Sequence, residues 1–425
     1  MMRFRRPALG LLFLLPLAVS AQRPTTSVGT NGFDPARLAR IDRFMQEYVD
    51  SGRIGGAVGL VLRDGKVVYQ HTVGWIDKAA GRPMTANALF RIASQTKAMT
   101  STVILSLVEE GKVAVDDPVS RFIPEFARTT VATRSDTGRV IARAKRQITI
   151  RDLLTHTAGI SYGTDAIVAP LYAAKGLGPA AGWGWYTADK DEPICATIER
   201  LATLPFVAQP GEAFVYGYNT DILGCVAERA SGKPLDVLIR ERITAPLGLR
   251  NTYFFVPTAA RDRLATVYAS DSTNHATRAP DGPKGQGDYL DGPRRNFAGG
   301  AGLISTARDY ARFLEMLREG GALDGARVLA PHTVDLMTHS QIQRQLDASG
   351  DLGFGFGFET TDRYGANGMA SVGSFSWGGA YGSSYLVDPV EHLVIVFMIN
   401  QIPNRTDIAG KFRTMVYQAL VARHP

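Results

Sequence analysis

The hydrophobic pattern divides the chain into β-rich ends and a helical, loop-rich middle. Near the start, "DPARLARIDRFMQEYVDSG" (34–52) repeats apolar positions at helical spacing and stops at a glycine, which predicts a helix. "GAVGLVLRDGKVVYQHTVGWID" (56–77) is two β-rich runs meeting at Asp64-Gly65, a strong hairpin signal. The following helix has an apolar face of Met99, Val103, Ile104, Leu107 and Val108, and Gly111 closes it. From about 116 to 297, helical segments such as 151–157 and 220–231 are separated by long loops rich in Gly, Pro and aromatic residues. Within this stretch "RVIARAKRQ" (139–147) follows the turn-like "SDTG" (135–138) and predicts the exposed face of a hairpin. A helix begins at Thr306, where Asp309 resembles a capping box with Asp in place of Glu. Strands then return in "SFSWGG", "AYGSSYLVDP" and "LVIVFMIN" (393–400), before a final helix from about 406 to 422.

Strands at both ends and helices between them predict an α/β (α+β) fold in which one antiparallel sheet, flanked by helices, is built from both chain ends. The expected divisions are a sheet domain of 22–115 with 298–425, and an inserted, mostly helical domain of 116–297.

Composition adds a compartment and removes some partners. Arg3, Arg5 and Arg6 precede the apolar run "ALGLLFLLPLAV" (8–19), which is too short to span a bilayer, and small residues follow up to Ala21. Residues 1–21 read as a secretory signal peptide cleaved after Ala21, so a periplasmic or secreted protein is expected. Without those residues the chain has 425 − 21 = 404 residues, and its net charge falls from +7 to +4. That mild, interspersed charge gives no reason to propose nucleic acid as a partner. No other run of about 18 apolar residues occurs, so no membrane segment is expected in the mature chain. Export permits a disulfide between the two cysteines, Cys195 and Cys225, but Cys225 lies in the apolar helical run "DILGCVAERA", where a buried thiol is equally natural. Neither C-x-x-C nor H-E-x-x-H appears, so the sequence supplies no metal-site signature and no metal or other cofactor is expected.

The chemistry begins at "RIASQTKAMT" (91–100), where Ser94 stands three positions before Lys97. Residues so spaced share a helix face, and a hydroxyl at a helix start lies among free N–H groups that favour negative charge. A lysine in an enclosed, partly apolar site can lose its proton near neutral pH and activate the serine. Alone, the pair reads more readily as a helix-capping serine followed by a solvated lysine. Four further stretches change that balance: "LLTHTAGI" (153–160), "FVYGYNTDILG" (214–224), "NFAGGAGLISTARD" (296–309) and "SWGGAYGSSYLVDP" (376–389). With "RIASQTK" they resemble, in order and over about 34–420, the serine β-lactamase-like (penicillin-recognising) hydrolases. The nearest likeness is to class C β-lactamases and the esterases sharing their fold.

The resemblance implies that Ser94 is the nucleophile and Lys97 its S-x-x-K partner, and that Tyr216 moves protons between serine and leaving group. Trp377, Gly378 and Gly379 match the K-T-G position on the strand lining the cleft. The N–H groups of Ser94 and Ala380 would form the oxyanion hole. Acyl transfer needs such a nucleophile, base and donor pair. Two departures bear on substrate. Tyr218 stands where Y-x-N has asparagine, with Asn219 beside it as a partial substitute, and Trp377 replaces the K-T-G lysine. An indole donates one hydrogen bond but cannot balance a carboxylate, so uncharged acyl groups are expected to bind better than β-lactams or D-Ala-terminated peptides.

"GISYG" (159–163) fits the G-x-S-x-G nucleophile elbow, but a helix precedes Ser161 where that motif requires a strand, so Ser161 reads as a loop serine. His156 is expected to brace its helix end rather than act as a base. Trp183, Trp185, Tyr186 and Tyr289 are candidates for the acyl pocket or for packing between the domains, and substrate choice is expected to lie in loops 162–193 and 270–295. The leading reading is a serine hydrolase acting on a small-molecule ester through an acyl-enzyme. A peptidase or amidase acting on unusual or D-amino-acid peptides, a β-lactamase, and a non-catalytic penicillin-binding-like module are its alternatives.

Overall fold

In the computed structural model, which describes residues 30–136, 138–178, 190–282, 284–342 and 344–424, the Asp64-Gly65 pair turns the chain as expected. Asp64 (φ 51°) and Gly65 (φ 70°) both adopt the left-handed conformation that a two-residue hairpin needs. The turn joins β1 (Gly56–Arg63) to β2 (Lys66–Asp77), and β3 (Arg82–Pro83) follows. Five strands near the other terminus are β4 (Leu352–Phe354), β5 (Glu359–Thr361), β6 (Phe375–Gly378), β7 (Ser384–Asp388) and β8 (Leu393–Ile399). All eight form one sheet in the order β4-β5-β6-β7-β8-β1-β2-β3. Every pairing is antiparallel. The ends of the chain meet where β1 lies on β8, with Val61 opposite Ile395.

Both faces of this sheet are covered, which explains why β1 is buried along its whole length. Ala57 and Val61 face α1 (Pro35–Asp50) and the C-terminal helix (Ile408–Ala419) through Ile41, Met45, Phe412 and Val416. Val58, Leu60 and Leu62 face the larger core, which holds the helix carrying the Ser94 motif, α2 (Thr96–Glu109). Burying each such aliphatic side chain contributes roughly 1.5–3 kcal/mol. Position α2 corrects the amphipathic expectation, because Thr96 to Leu107 are all buried. Its polar residues are satisfied inside: Thr100 Oγ1 donates to Gly299 O (2.8 Å) and Thr102 Oγ1 to Ala98 O (2.9 Å).

Between the two groups of strands run short helices and loops. The expected hairpin is present, with Thr130–Ser135 paired to an exposed Gly138–Arg143. Thr149 and Asp152 form a full capping box at the start of α3 (Ile150–Leu154). The expected box at Thr306 is only half made. Thr306 accepts from Asp309 N (3.2 Å) at the start of the helix Ala307–Arg318, but the Asp309 carboxylate is taken by Asn251 N (2.6 Å). A disulfide joins Cys195, on the helix Ile194–Ala202, to Cys225 on α4 (Asn219–Ser231), resolving the choice that composition left open. No helix among the described residues is long and apolar enough to cross a membrane. Residues 1–21, Trp183, Trp185 and Tyr186 lie outside the described residues.

Candidate active site

Ser94 is presented by a strained turn held against the end of a strand. Phe90 and Arg91 pair with Ser305 and Ile304, and Ile92 N donates to Leu303 O (3.1 Å), which fixes the chain up to the turn. Ala93 then takes φ 44°, unusual for a residue with a Cβ, and Ser94 follows in a single 3-10 turn (Ala93–Gln95) before α2 begins. From the other side, β6 ends in Gly378-Gly379. A Cβ on Gly379 would stand 2.5 Å from Ile92 O, so glycine lets the strand end close on the Ser94 turn. Gly379 N donates to Ser383 O and Gly382 N to Gly379 O, whereas the N–H groups of Ser94 and Ala380 have no acceptor among the described residues. Ser94 and Ala380 line one cleft of about 480 Å³ together with Tyr216, Trp377 and Gly378.

Lys97 follows one turn later and is 1% exposed. Its Nζ donates to Gly300 O (2.7 Å) and Tyr162 OH (2.9 Å) and lies 3.4 Å from Ser94 Oγ, three acceptors for three N–H bonds. The same Nζ stands 4.7 Å from the centroid of the Tyr216 ring. Gly300 also faces the other way, its N–H donating to Asp221 Oδ1 on α4 (3.0 Å). A Cβ there would meet Asp221 Oδ2 at 2.3 Å, and one on Gly299 would meet Thr220 O at 2.7 Å, so the loop passes between α2 and α4 only as glycine. Burial pushes the Asp221 carboxyl up to about 6, with Lys97 and the Gly300 N–H pulling it back down. Burial also raises the Tyr162 phenol well above 10, assisted by Tyr216, Asp221 and Tyr218, so it meets Lys97 as a neutral hydroxyl.

Tyr216 is oriented from two directions. Trp377 Nε1 donates to its hydroxyl oxygen (3.1 Å), and the His156 ring packs on its ring at 4.7 Å. His156 has φ 57° at the end of α3, and burial, helped by the Lys97 charge, holds its imidazole well below 6.5. It is therefore a neutral packing group, hydrogen-bonded through Nδ1 to Asn219 Nδ2 (2.9 Å), and it braces Tyr216 as well as its own helix end.

Several sequence expectations change at this point. The one hydrogen bond that the Trp377 indole offers is directed at Tyr216. A cation does line the cleft. Arg413, from the helix Ile408–Ala419, is half-buried and has no hydrogen-bond or ion-pair partner among the described residues. Glu359, Asn367, Ser376 and Tyr385 line the same wall, and none of the described residues of loops 162–193 and 270–295 does. Tyr218, Asn219 and Tyr289 are not in the cleft. Tyr218 is wedged between Tyr162 and Tyr172 with its hydroxyl accepting from Gly178 N, Asn219 is spent on His156, and Tyr289 packs with Leu89, Val256 and Ile304. Tyr218 and Asn219 serve burial because α4 and the segment before it are enclosed, whereas Tyr289 fills a separate small core. Ser161 is a loop serine, accepting from Gly163 N (3.1 Å). Its neighbour Tyr162 was missed, along with Gly300 and Asp221, although "GISYG" and "NFAGGAG" were both visible as stretches.

A hydroxyl, an amine and a phenol brought together beside an antiparallel sheet are the working parts of a serine hydrolase, and the relatives of this chain bear that class out. Residues 41–418 match the Beta-lactamase family, and the chain belongs to it. Esterase EstB of Burkholderia gladioli is 33% identical over 384 residues, covering 86% of this chain and 91% of that one. Protein Rv1367c of Mycobacterium tuberculosis is 36% identical over 380 residues, covering 85% and 89%. Among solved structures, EstCE1, a hydrolase with promiscuous acyltransferase activity, superposes with a TM-score of 0.76 at 29% identity, covering 91% of this chain and 99% of that one.

Proposed function

We propose that this serine hydrolase is a carboxylic ester hydrolase working through an acyl-enzyme on Ser94. The observation that carries the reading is the placement of Lys97 Nζ, 3.4 Å from Ser94 Oγ and over the Tyr216 ring. Ser94 Oγ attacks the ester carbonyl while its proton passes to the Lys97–Tyr216 pair, which receives it when the pair holds one proton fewer than an ammonium and a phenol together, and the N–H groups of Ser94 and Ala380 receive the developing oxyanion. The C–O bond then breaks, and the leaving alkoxide takes a proton from Tyr216. Water repeats the sequence on the acyl-serine and releases the acid. An alcohol in place of water would give a new ester, and EstCE1 is described as having such an acyltransferase activity. The esterase name of EstB supports the same acyl chemistry. Residues 1–21 act in this reading as an export signal, which places the enzyme in the periplasm or outside the cell; N-terminal sequencing of the mature protein tests it.

A second reading rests on Arg413. A guanidinium on the cleft wall with no hydrogen-bond or ion-pair partner among the described residues, and with the longer-range charge of Glu359 beside it, is suited to a substrate carboxylate, which favours a peptide or amide carrying that group. Both readings are tested by comparing a short-chain p-nitrophenyl ester, a chromogenic cephalosporin and a D-Ala-D-Ala peptide. The ester should turn over fastest, and Ser94→Ala should abolish both turnover and labelling by a fluorophosphonate. Faster turnover of an anionic substrate, lost in Arg413→Met, would replace the first reading with the second.

A further inference from the structure

Outside the cleft, the described residues gather one set of metal-ligating side chains from three distant parts of the sequence. Asp64 sits in the β1–β2 turn, His392 immediately precedes β8, and His424 belongs to the C-terminal tail; their ligating atoms all lie within 4.8 Å of one another. Asp64 Oδ1 is 2.8 Å from His392 Nδ1 and 3.2 Å from His424 Nε2. In a tetrahedral zinc site with bonds near 2.0–2.1 Å, neighbouring ligand atoms are about 3.3 Å apart, so the His424 separation matches such an edge and the His392 separation, now a hydrogen bond, would open by about 0.5 Å on binding. The two imidazoles stack with centroids 3.6 Å apart, and each turns one nitrogen to the same carboxylate oxygen, His392 through Nδ1 and His424 through Nε2.

The surrounding backbone is built to hold this arrangement. Asp64 and His392 both have left-handed φ (51° and 53°), and Asp64 N donates to His392 O (3.1 Å), tying the two turns together. The tail is pinned beside them: Arg63 donates to Ala422 O (2.9 Å), and His424 N donates to the Glu391 carboxylate (3.0 Å), itself paired with Arg63. Strand register separates the cluster from the cleft. His392 adjoins Leu393 at one end of β8, whereas Gly378 of the cleft pairs through Ser384 with Phe397 towards the other.

We propose that Asp64, His392 and His424 bind a divalent transition-metal ion of the zinc type, with water completing its coordination, and that the ion clasps the C-terminal tail to two turns of the sheet. Two imidazoles and a carboxylate suit zinc better than calcium or magnesium, which prefer all-oxygen sets. No sequence motif signals the site, because its ligands lie 328 and 32 positions apart along the chain.

The test uses untagged full-length protein and Zn²⁺ alone. Equilibrium dialysis with metal analysis should find one Zn²⁺ per chain at micromolar free zinc, with binding at least tenfold weaker in His392→Ala and in a chain ending at Arg423. The same zinc should raise the unfolding temperature of the wild type and leave the truncated chain unmoved. The truncated chain removes only the tail, and retained hydrolysis of a p-nitrophenyl ester shows that it is folded. Binding that is absent in the wild type, or undiminished in both variants, would overturn the proposal and leave the cluster a set of hydrogen bonds.

Discussion

Asp221 offers a quantitative test of how the site is held together. Its carboxyl is 2% exposed, and burial raises its pKa from an ordinary 3.8 to about 6 even with Lys97 nearby. Each unit of that difference is worth about 1.36 kcal/mol, so ionising Asp221 costs about 3 kcal/mol more in the folded protein than in the unfolded chain. Between pH 3.8 and about 6 the folded state therefore holds more protons than the unfolded state. Stability must fall as pH rises through that window, and it stays lower above it. Asp221→Asn preserves the shape and keeps an oxygen for the Gly300 N–H, but it carries no charge. The variant should match the wild type near pH 4 and exceed it by about 3 kcal/mol at pH 7.5. Urea unfolding of both proteins across this range gives the difference curve directly. Ester kcat/KM should move the opposite way, falling about tenfold as Lys97 loses its buried counter-charge. A variant less stable at pH 7.5 would show that attraction to Lys97 outweighs the cost of burial, and a difference that does not change with pH would show that the two cancel; either result refutes the reasoning.

Two further outcomes follow from single contacts. Trp377→Phe removes the N–H that holds Tyr216 while keeping an aromatic ring against Phe354. A hydrogen bond of about 1 kcal/mol corresponds to about a fivefold fall in kcat/KM for an uncharged ester. A fall beyond a hundredfold would mean that the indole contacts the substrate directly. The Cys195–Cys225 bridge closes a loop of 30 residues, which by chain entropy contributes about 3–4 kcal/mol. Cys195→Ala/Cys225→Ala should lower the denaturant midpoint accordingly, and dithiothreitol should lower the wild type but not the variant; an unchanged midpoint would refute the bridge.

The sheet was legible because its signals are local. A two-residue Asp-Gly turn and strands of unbroken apolar residues report their own geometry, and Val394, Val396 and Met398 need only a second covered face to explain them. Ser94, Lys97 and Tyr216 were readable as types at a spacing, and the structure brings all three together. What could not be read is any role that depends on which segments meet. Tyr162 is the clearest case. In "GISYG" the motif marks the serine, whose oxygen merely closes a local turn, while the next residue supplies an acceptor for Lys97 from 65 positions away. Nothing in the local pattern distinguishes that tyrosine from Tyr218, which is equally aromatic and equally enclosed but serves packing.

Trp377 shows the same limit in the opposite direction. Its identity argued correctly that the strand carries no lysine, but a side chain's partners are a property of the fold. The indole donates to a neighbouring tyrosine, and the positive charge missing from position 377 reappears on the cleft wall at Arg413, 36 positions later on a helix. Substrate charge is therefore a question about the whole wall, Glu359 and Arg413 included. Burial raises the Glu359 carboxyl and lowers the Arg413 guanidinium, so each charge is costlier here than in water, and each partly offsets the other. A ligand that paired with either would recover part of that cost on binding. An uncharged ester would recover none and would depend on shape and on the oxyanion donors alone, which is why the ester-to-anion ratio, measured with and without Arg413, reads out the design of the cleft.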